Sequence, residues 1–193
     1  KVLWNELSRS EFPPLLENDP VVILPIGSLE QHGPHLPLAT DEWIARALAE
    51  RLAARLEEGV ALPALALGCA SEHLDFAGTL SLQPATLEAV LRDLISSLAR
   101  HGFERAFIWT AHGGNVDALD AMRGRLEAVS SPLVVRIDTD LAAVADGKGN
   151  GDGDEMVVPV SDDHIGHPSH GHMHGILRQV ETEYRIGATG SNG

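Results

Sequence analysis

The chain has 193 residues, 44% of them apolar, and a formal net charge of −14; the length suits one domain with a sizeable core. The acidic balance disfavours a phosphate-backbone partner or an anionic membrane surface, both of which need clustered Lys and Arg. Cys69 is the single cysteine, which excludes an internal disulfide and a thiolate zinc cluster. With no apolar run of membrane-spanning length and no signal-peptide pattern at the N-terminus, a cytoplasmic protein is the expectation.

In chain order, residues 3–18 read as a short helical lead-in, with Ser8 able to cap a turn and Pro13-Pro14 breaking it. Residues 20–26, Pro-Val-Val-Ile-Leu-Pro-Ile, form the continuous apolar run of a strand buried on both faces. From about Asp41 to Glu58 the pattern is helical. Ile44, Leu48, Leu52 and Leu56 recur at four-residue spacing, Thr40 or Asp41 can cap the start, and Gly59 stops the helix. Residues 60–67 read as a second strand, in which Pro63 suggests an edge position or a bulge. A long polar connection, 68–85, leads to a helix capped by Thr86 and running to about Arg100, with Leu87, Val90, Leu91, Leu94 and Leu98 on its core face. Residues 104–110 are a third strand, and Ala111-His112-Gly113-Gly114-Asn115 is a tight turn. A helix with Val116, Leu119, Met122 and Leu126 on one face follows, then a fourth strand from Leu133 to Ile137. Strands alternating with helices predict an α/β fold: a three-layer α/β/α domain with a mostly parallel central sheet. One domain over 1–193 is expected. Beyond Asp140 the chain turns irregular, Gly- and Asp-rich and then His-rich, with five of the ten histidines in residues 161–175.

Three polar constellations each follow a strand and precede a helix, so topology brings them to one edge of the sheet, beyond the strands' carboxyl ends. In the first, Glu30 and His32 are two apart in an extended segment and point the same way, towards a shared divalent cation. Asp41 can cap the helix or bridge two metals. His35 reads as a loop histidine or a ligand. In the second, Glu72 can act as a base or a hydrogen-bond acceptor and His73 as a proton shuttle, or the two form a solvated loop pair. In the third, His112 is a candidate ligand. Gly113 and Gly114 allow close backbone approach, and N–H groups there could hold an oxyanion. Asn115 is expected to cap the following helix.

Residues 27–41, Gly-Ser-Leu-Glu-Gln-His-Gly-Pro-His-Leu-Pro-Leu-Ala-Thr-Asp, resemble the first motif of the creatininase-like amidohydrolases. Ser71-Glu72-His73 with Phe76 to Ser81 resembles the second motif, and Ala111 to Asn115 the third, in the family's order. The resemblance implies an α/β/α layered domain, often assembled as a homo-oligomer (a hexamer). It implies two divalent metal ions, zinc, manganese or iron, and hydrolysis of C–N bonds in cyclic or small amides. Other branches act on formamide-type intermediates or on peptides during cofactor maturation. Carried over by position, Glu30 and His32 would be ligands of different metals, Asp41 would bridge them and His112 would complete one site. Where creatininase has a further Glu ligand, this chain has Gly114. Related branches instead use a later His-Ala-Gly-x-x-Glu-Thr-Ser string. Its nearest counterpart, His174 to Glu183, makes Glu181 the candidate fifth ligand and His174 the candidate catalytic histidine. Asp162 and Asp163 are further substitutes. His164, His167, His170, His172 and His174 can form an ancillary metal site or a solvated tail.

The expectation is therefore a metal-dependent hydrolase acting on a small, non-peptide amide. Glu30, His32, Asp41, His112 and Glu181 would hold the metals, His174, Glu72 and His73 would move protons, and Ser71, Gly113 and Gly114 would line the substrate site. The alternative of another class is a family member that keeps the metals but has lost catalysis, serving as a binding or assembly subunit. A nuclease is disfavoured by the charge.

Overall fold

The computed structural model describes residues 2–129 and 132–139. Within them the elements run α1 (Phe12–Glu17), β1 (Val21–Ile26), α2 (Thr40–Arg55), β2 (Gly59–Ala61), α3 (Pro84–Arg100), β3 (Arg105–Thr110), α4 (Val116–Val129) and β4 (Val134–Asp138). The strands form one sheet in the order β2-β1-β3-β4, and every pairing is parallel. This is the three-layer α/β/α arrangement expected of alternating strands and helices.

The central strand β1 is buried along its whole length, and its side chains alternate between two cores as the pleat requires. Val21 and Ile23 face α2, joined by Phe107 and Trp109 of β3. Val22, Leu24 and Ile26 face α3 and α4, joined by Ala106 and Ile108. On α3 the fully buried positions are Leu87, Leu91 and Ile95, with Leu98 close behind; each contributes about 1.5–3 kcal/mol by leaving water. Among the described residues no helix is long and apolar enough to cross a membrane.

Several boundaries differ from expectation, each for a local reason. Pro13 and Pro14 lie in the first turn of α1 rather than breaking it, because proline costs nothing where a helix has no acceptor for its N–H groups. α3 starts at Pro84 with Gln83 as N-cap, not at Thr86, for the same reason. α2 ends at Arg55, and Gly59 opens β2 instead of stopping the helix. β2 is a three-residue edge strand. Beyond Ala61 the chain keeps touch with β1 through Leu62 N–H to Ile23 O and Leu65 N–H to Pro25 O, 2.8 and 3.0 Å, and an isolated parallel bridge between Leu65 and Ile26; the ladder is broken between them, where Pro63 has no N–H to give. The buried face of α2 is Ala45, Leu48, Ala49, Leu52 and Ala53, with Ile44 only partly covered. The small alanines let the helix lie close on the sheet.

Candidate metal centre

The carboxyl end of β1 runs into Gly27, where an added Cβ would fall 2.6 Å from the backbone N and Cα of Glu42. Glycine here lets the first turn of α2 sit directly against the strand end. Asp41 is in that turn, and the N-cap is Ala39; Thr40 Oγ1 donates to Pro37 O at 2.6 Å. Asp41 therefore does not cap the helix. Its carboxylate is free to face inwards, close to the positive end of the helix dipole.

Asn115, expected to cap the following helix, directly precedes α4 and is fully buried, and its side chain ties three connections together. Its Oδ1 accepts from Cys69 N at 2.7 Å, and its Nδ2 donates to Gly27 O and Thr110 Oγ1, each at 3.0 Å. The cap position of the turn is His112. Sequence reading missed this staple. The signal was that an amide offers donor and acceptor at once, which a plain cap does not use.

These contacts bring Glu30, His32, Asp41, His112, Glu72 and His73 together. His112 Nδ1 lies 2.9 Å from Asp41 Oδ2 and 3.3 Å from Glu30 Oε1. His32 Nε2 lies 3.0 Å from Asp41 Oδ1 and 3.9 Å from Glu30 Oε1. Two overlapping groups, Glu30 with His32 and Asp41, and Glu30 with Glu72 and His112, have donor atoms close enough together to share a cation. His35 is exposed and in neither group. His174 and Glu181, with the other histidines and acids after residue 160, lie outside the described residues.

The His112 tautomer follows from its acceptor. His112 Nε2 is 2.8 Å from Cys69 O, and a carbonyl only accepts, so Nε2 carries the proton and the bare nitrogen of the neutral ring is Nδ1. His32 faces acceptors on both sides, Glu30 O at 3.2 Å from Nδ1 and Asp41 Oδ1 at 3.0 Å from Nε2, and Nε2 is the nitrogen turned into the cluster. Each ring thus turns a nitrogen towards carboxylate oxygens, an arrangement that a cation between them would satisfy. Glu30 and Asp41 are only 5% and 6% exposed, and Glu30 Oε2 and Asp41 Oδ2 are buried with no hydrogen-bond partner. His112 approaches Asp41 Oδ2 closely but off hydrogen-bond geometry. Burial pushes the Glu30 carboxyl up and Asp41 adds to the rise, against the pull of His112, His73 and His32. Burial pushes the His112 imidazolium down, but the Asp41 and Glu30 carboxylates outweigh it and hold the group above the usual histidine value. Orphaned anionic oxygens and inward-facing imidazole nitrogens make a donor set that fits hard or borderline divalent cations.

Beside this cluster is a cleft of about 430 Å³ lined by Ser71, Glu72, Gly113 and Gly114, among others, within the ~300–1,000 Å³ range of small-molecule sites. A Cβ at Gly114 would collide with Cys69 O, Glu72 Oε1 and His112 Nε2. Glu72 Oε1 stands 3.8 Å from His112 Nε2, and its side chain is half exposed to the cleft side.

A family model described as creatinine amidohydrolase, Creatininase, matches residues 5–175. The mycofactocin precursor peptide peptidase of Mycobacterium tuberculosis is 40% identical over 132 residues, 64% of this chain and 52% of that protein. The creatinine amidohydrolase of Pseudomonas putida is 35% identical over 120 residues, 59% of this chain and 46% of that protein. A solved structure described as creatininase Mn aligns at 30% identity with a TM-score of 0.65, covering 76% of this chain and 61% of that one. A mutant creatininase of Zn-Zn type aligns at 30% identity with a TM-score of 0.63, covering 78% and 65%. The chain spans about half the length of the curated relatives it matches. With the layered fold, the edge on which the polar motifs meet and a match running from residue 5 to residue 175 all in agreement, the chain belongs to the creatininase family.

Proposed function

We propose that this protein hydrolyses an amide C–N bond with two divalent cations held by Glu30, His32, Asp41 and His112. The observation that carries the reading is the pair of buried carboxylates with orphaned oxygens faced by two imidazoles that each turn a ring nitrogen inward. Such cations supply a water acidified to near neutrality and polarise the amide carbonyl. Asp41 lies between His32 and His112, 3.0 and 2.9 Å from their ring nitrogens through its two different oxygens, and so is the group suited to bridge. Glu72, exposed on the cleft side of His112, takes the proton role that the site needs towards the leaving nitrogen. The N–H groups of Gly113 and Gly114 open the turn into α4 and have no acceptor within it; they are suited to hold the carbonyl oxygen as it gains charge. His174 and Glu181 remain candidates for the catalytic histidine and fifth ligand, from sequence resemblance alone.

The amide is either a small cyclic one or a peptide bond. The cleft's size supports the first, and the relative at 40% identity, a precursor-peptide peptidase, supports the second. Homo-oligomeric assembly belongs to the same reading and is checked by sedimentation. A panel of cyclic amides, formamides and short peptides, assayed with the chain loaded with zinc or manganese, decides the substrate class. Two metal equivalents by elemental analysis and metal-dependent release of an amine are the expected result. Glu30→Gln or His112→Ala should cut both metal content and turnover, by at least about 100-fold in rate, as loss of a group central to charge stabilisation does. Full activity at unchanged metal content in either variant would falsify the assignment. Two bound metals with no turnover on any class would favour the binding-subunit alternative.

A further inference from the structure

Three imidazoles surround the Glu30 carboxylate: His112, His73 and His32, at 3.3, 3.6 and 3.9 Å. Two of them, His112 and His32, set one ring nitrogen against a backbone carbonyl and turn the other inward. His73 is held the other way round. Its Nδ1 lies 3.2 Å from Gln31 Nε2, and a third group fixes which end of the Gln31 amide faces it. The Gly33 backbone N–H is 3.0 Å from Gln31 Oε1. A backbone N–H can only donate, so the amide oxygen must face Gly33 and the amide NH2 must face His73. That NH2 can also only donate, so His73 Nδ1 accepts and carries no proton. The proton of the neutral ring is therefore on Nε2, which faces Glu30 Oε2, the buried oxygen with no hydrogen-bond partner.

The frame around this chain of contacts is tied down by hydrogen bonds from backbone N–H groups. Gly33 takes φ +74°, a conformation that favours glycine, and the turn brings its N–H back over residue 31. Gln31 N donates to Thr79 Oγ1 at 3.1 Å and Leu80 N to Leu29 O at 2.9 Å. The loop that carries His73 is thus sewn to the loop that carries Glu30.

We propose that Gln31 is a positioning residue: it locks His73 in the tautomer that turns its Nε2–H towards the Glu30 carboxylate and so steadies that charge from outside the metal cluster. His73 then serves Glu30 and is neither a third imidazole ligand nor the proton shuttle read from sequence. The consequence for metal affinity rests on the two-cation reading; the tautomer does not.

The test is a long-range proton–nitrogen correlation spectrum of the metal-free chain labelled at histidine nitrogen, recorded at alkaline pH. His73 is assigned by its loss in His73→Gln. The expected pattern is a protonated Nε2 and a bare Nδ1. Gln31→Glu should reverse it, because a carboxylate only accepts and would draw the proton to Nδ1. In a separate zinc titration, Gln31→Met, which keeps the length but loses the donor, should weaken binding at the lower end of the roughly 10–100-fold range seen for outer-shell partners. A protonated Nδ1 in the native chain, or an unchanged pattern in Gln31→Glu, would overturn the proposal. Unchanged zinc affinity in Gln31→Met would overturn the role assigned towards Glu30. If the tautomer behaves as stated while Glu30→Gln binds zinc normally, the two-cation reading fails and the locked tautomer stands.

Discussion

At residue 114 the missing side chain is a structural requirement. A single methyl there would meet Cys69 O, the Glu72 carboxylate and His112 Nε2 at once. Glu72 is flexible and can swing aside. The Cys69 carbonyl oxygen, the nearest atom to the added carbon, is backbone and also holds the proton of His112 at 2.8 Å, so relieving the clash shifts the carbonyl that orients the imidazole. Gly114→Ala should therefore weaken zinc binding and turnover together while costing about 1–3 kcal/mol of stability, the usual overpacking penalty. Gly124 is the control: a Cβ there meets nothing within 4 Å, and in mid-helix Gly124→Ala should be neutral or stabilising by about 0.4–1 kcal/mol. Zinc titration and thermal melts of the two variants check this, and native-like zinc affinity in Gly114→Ala would sink the argument. The motif showed that residues 113 and 114 lie close to a ligand. It did not show that position 114 orients a histidine, because that depends on the carbonyl of Cys69, 45 positions away in the chain and tied to this turn by Asn115.

Among the elements, α3 and α4 cover the same face of the sheet and are joined at their surface by Arg125, whose Nε and Nη2 donate to the two oxygens of Glu88 at 2.8 and 2.7 Å. The side-chain hydrogen bonds from Arg125 hold the Glu88 carboxyl below the usual value of 4.5. A carboxyl lowered in the folded state stabilises it above the unfolded value and loses that contribution as pH falls through the folded value. The native chain should thus lose part of its thermal stability on acidification below about pH 4.5, where an unfolded glutamate begins to take up protons. Glu88→Gln should flatten that part of the Tm-against-pH curve; an unchanged slope would count against the pair. The helices themselves were legible, since their leucines recur at helical spacing. Their ends were less so. Pro84 looks like loop until its missing N–H is set against the acceptors a helix start lacks. Ile95, fully buried, belongs to the α3 core face although the leucine pattern passes over it. The cropping of β2 after Ala61 was readable in kind, as an edge position signalled by Pro63, but not in length.

For the molecule as a whole, the decisive feature is that the ligand set is gathered from the connection after β1, the first turn of α2 and the turn after β3. Nothing in local sequence fixes those distances. They exist because β1 and β3 are neighbours in register, with Ile26 beside Thr110, and because Gly27 admits α2 against the strand end. A cation bound there would cross-link all three connections and would not bind the unfolded chain, in which the ligands are dispersed. Binding to the folded state alone stabilises it by about 2.7 kcal/mol at a free concentration near 100 times Kd. For a domain of this size roughly 2–4 °C of Tm accompanies each kcal/mol, so zinc or manganese at that excess should raise Tm by about 5–10 °C. A chelator should reverse the rise. In Glu30→Gln and Asp41→Asn the shift should shrink or vanish even though removing a buried charge leaves the metal-free forms no less stable than the native chain. A calorimetric series over metal, chelator and these variants separates the outcomes without any substrate. An equal shift in all three proteins would mean that the cation binds elsewhere, and no shift in the native chain would mean that the carboxylates and imidazoles gathered at this sheet edge do not hold one.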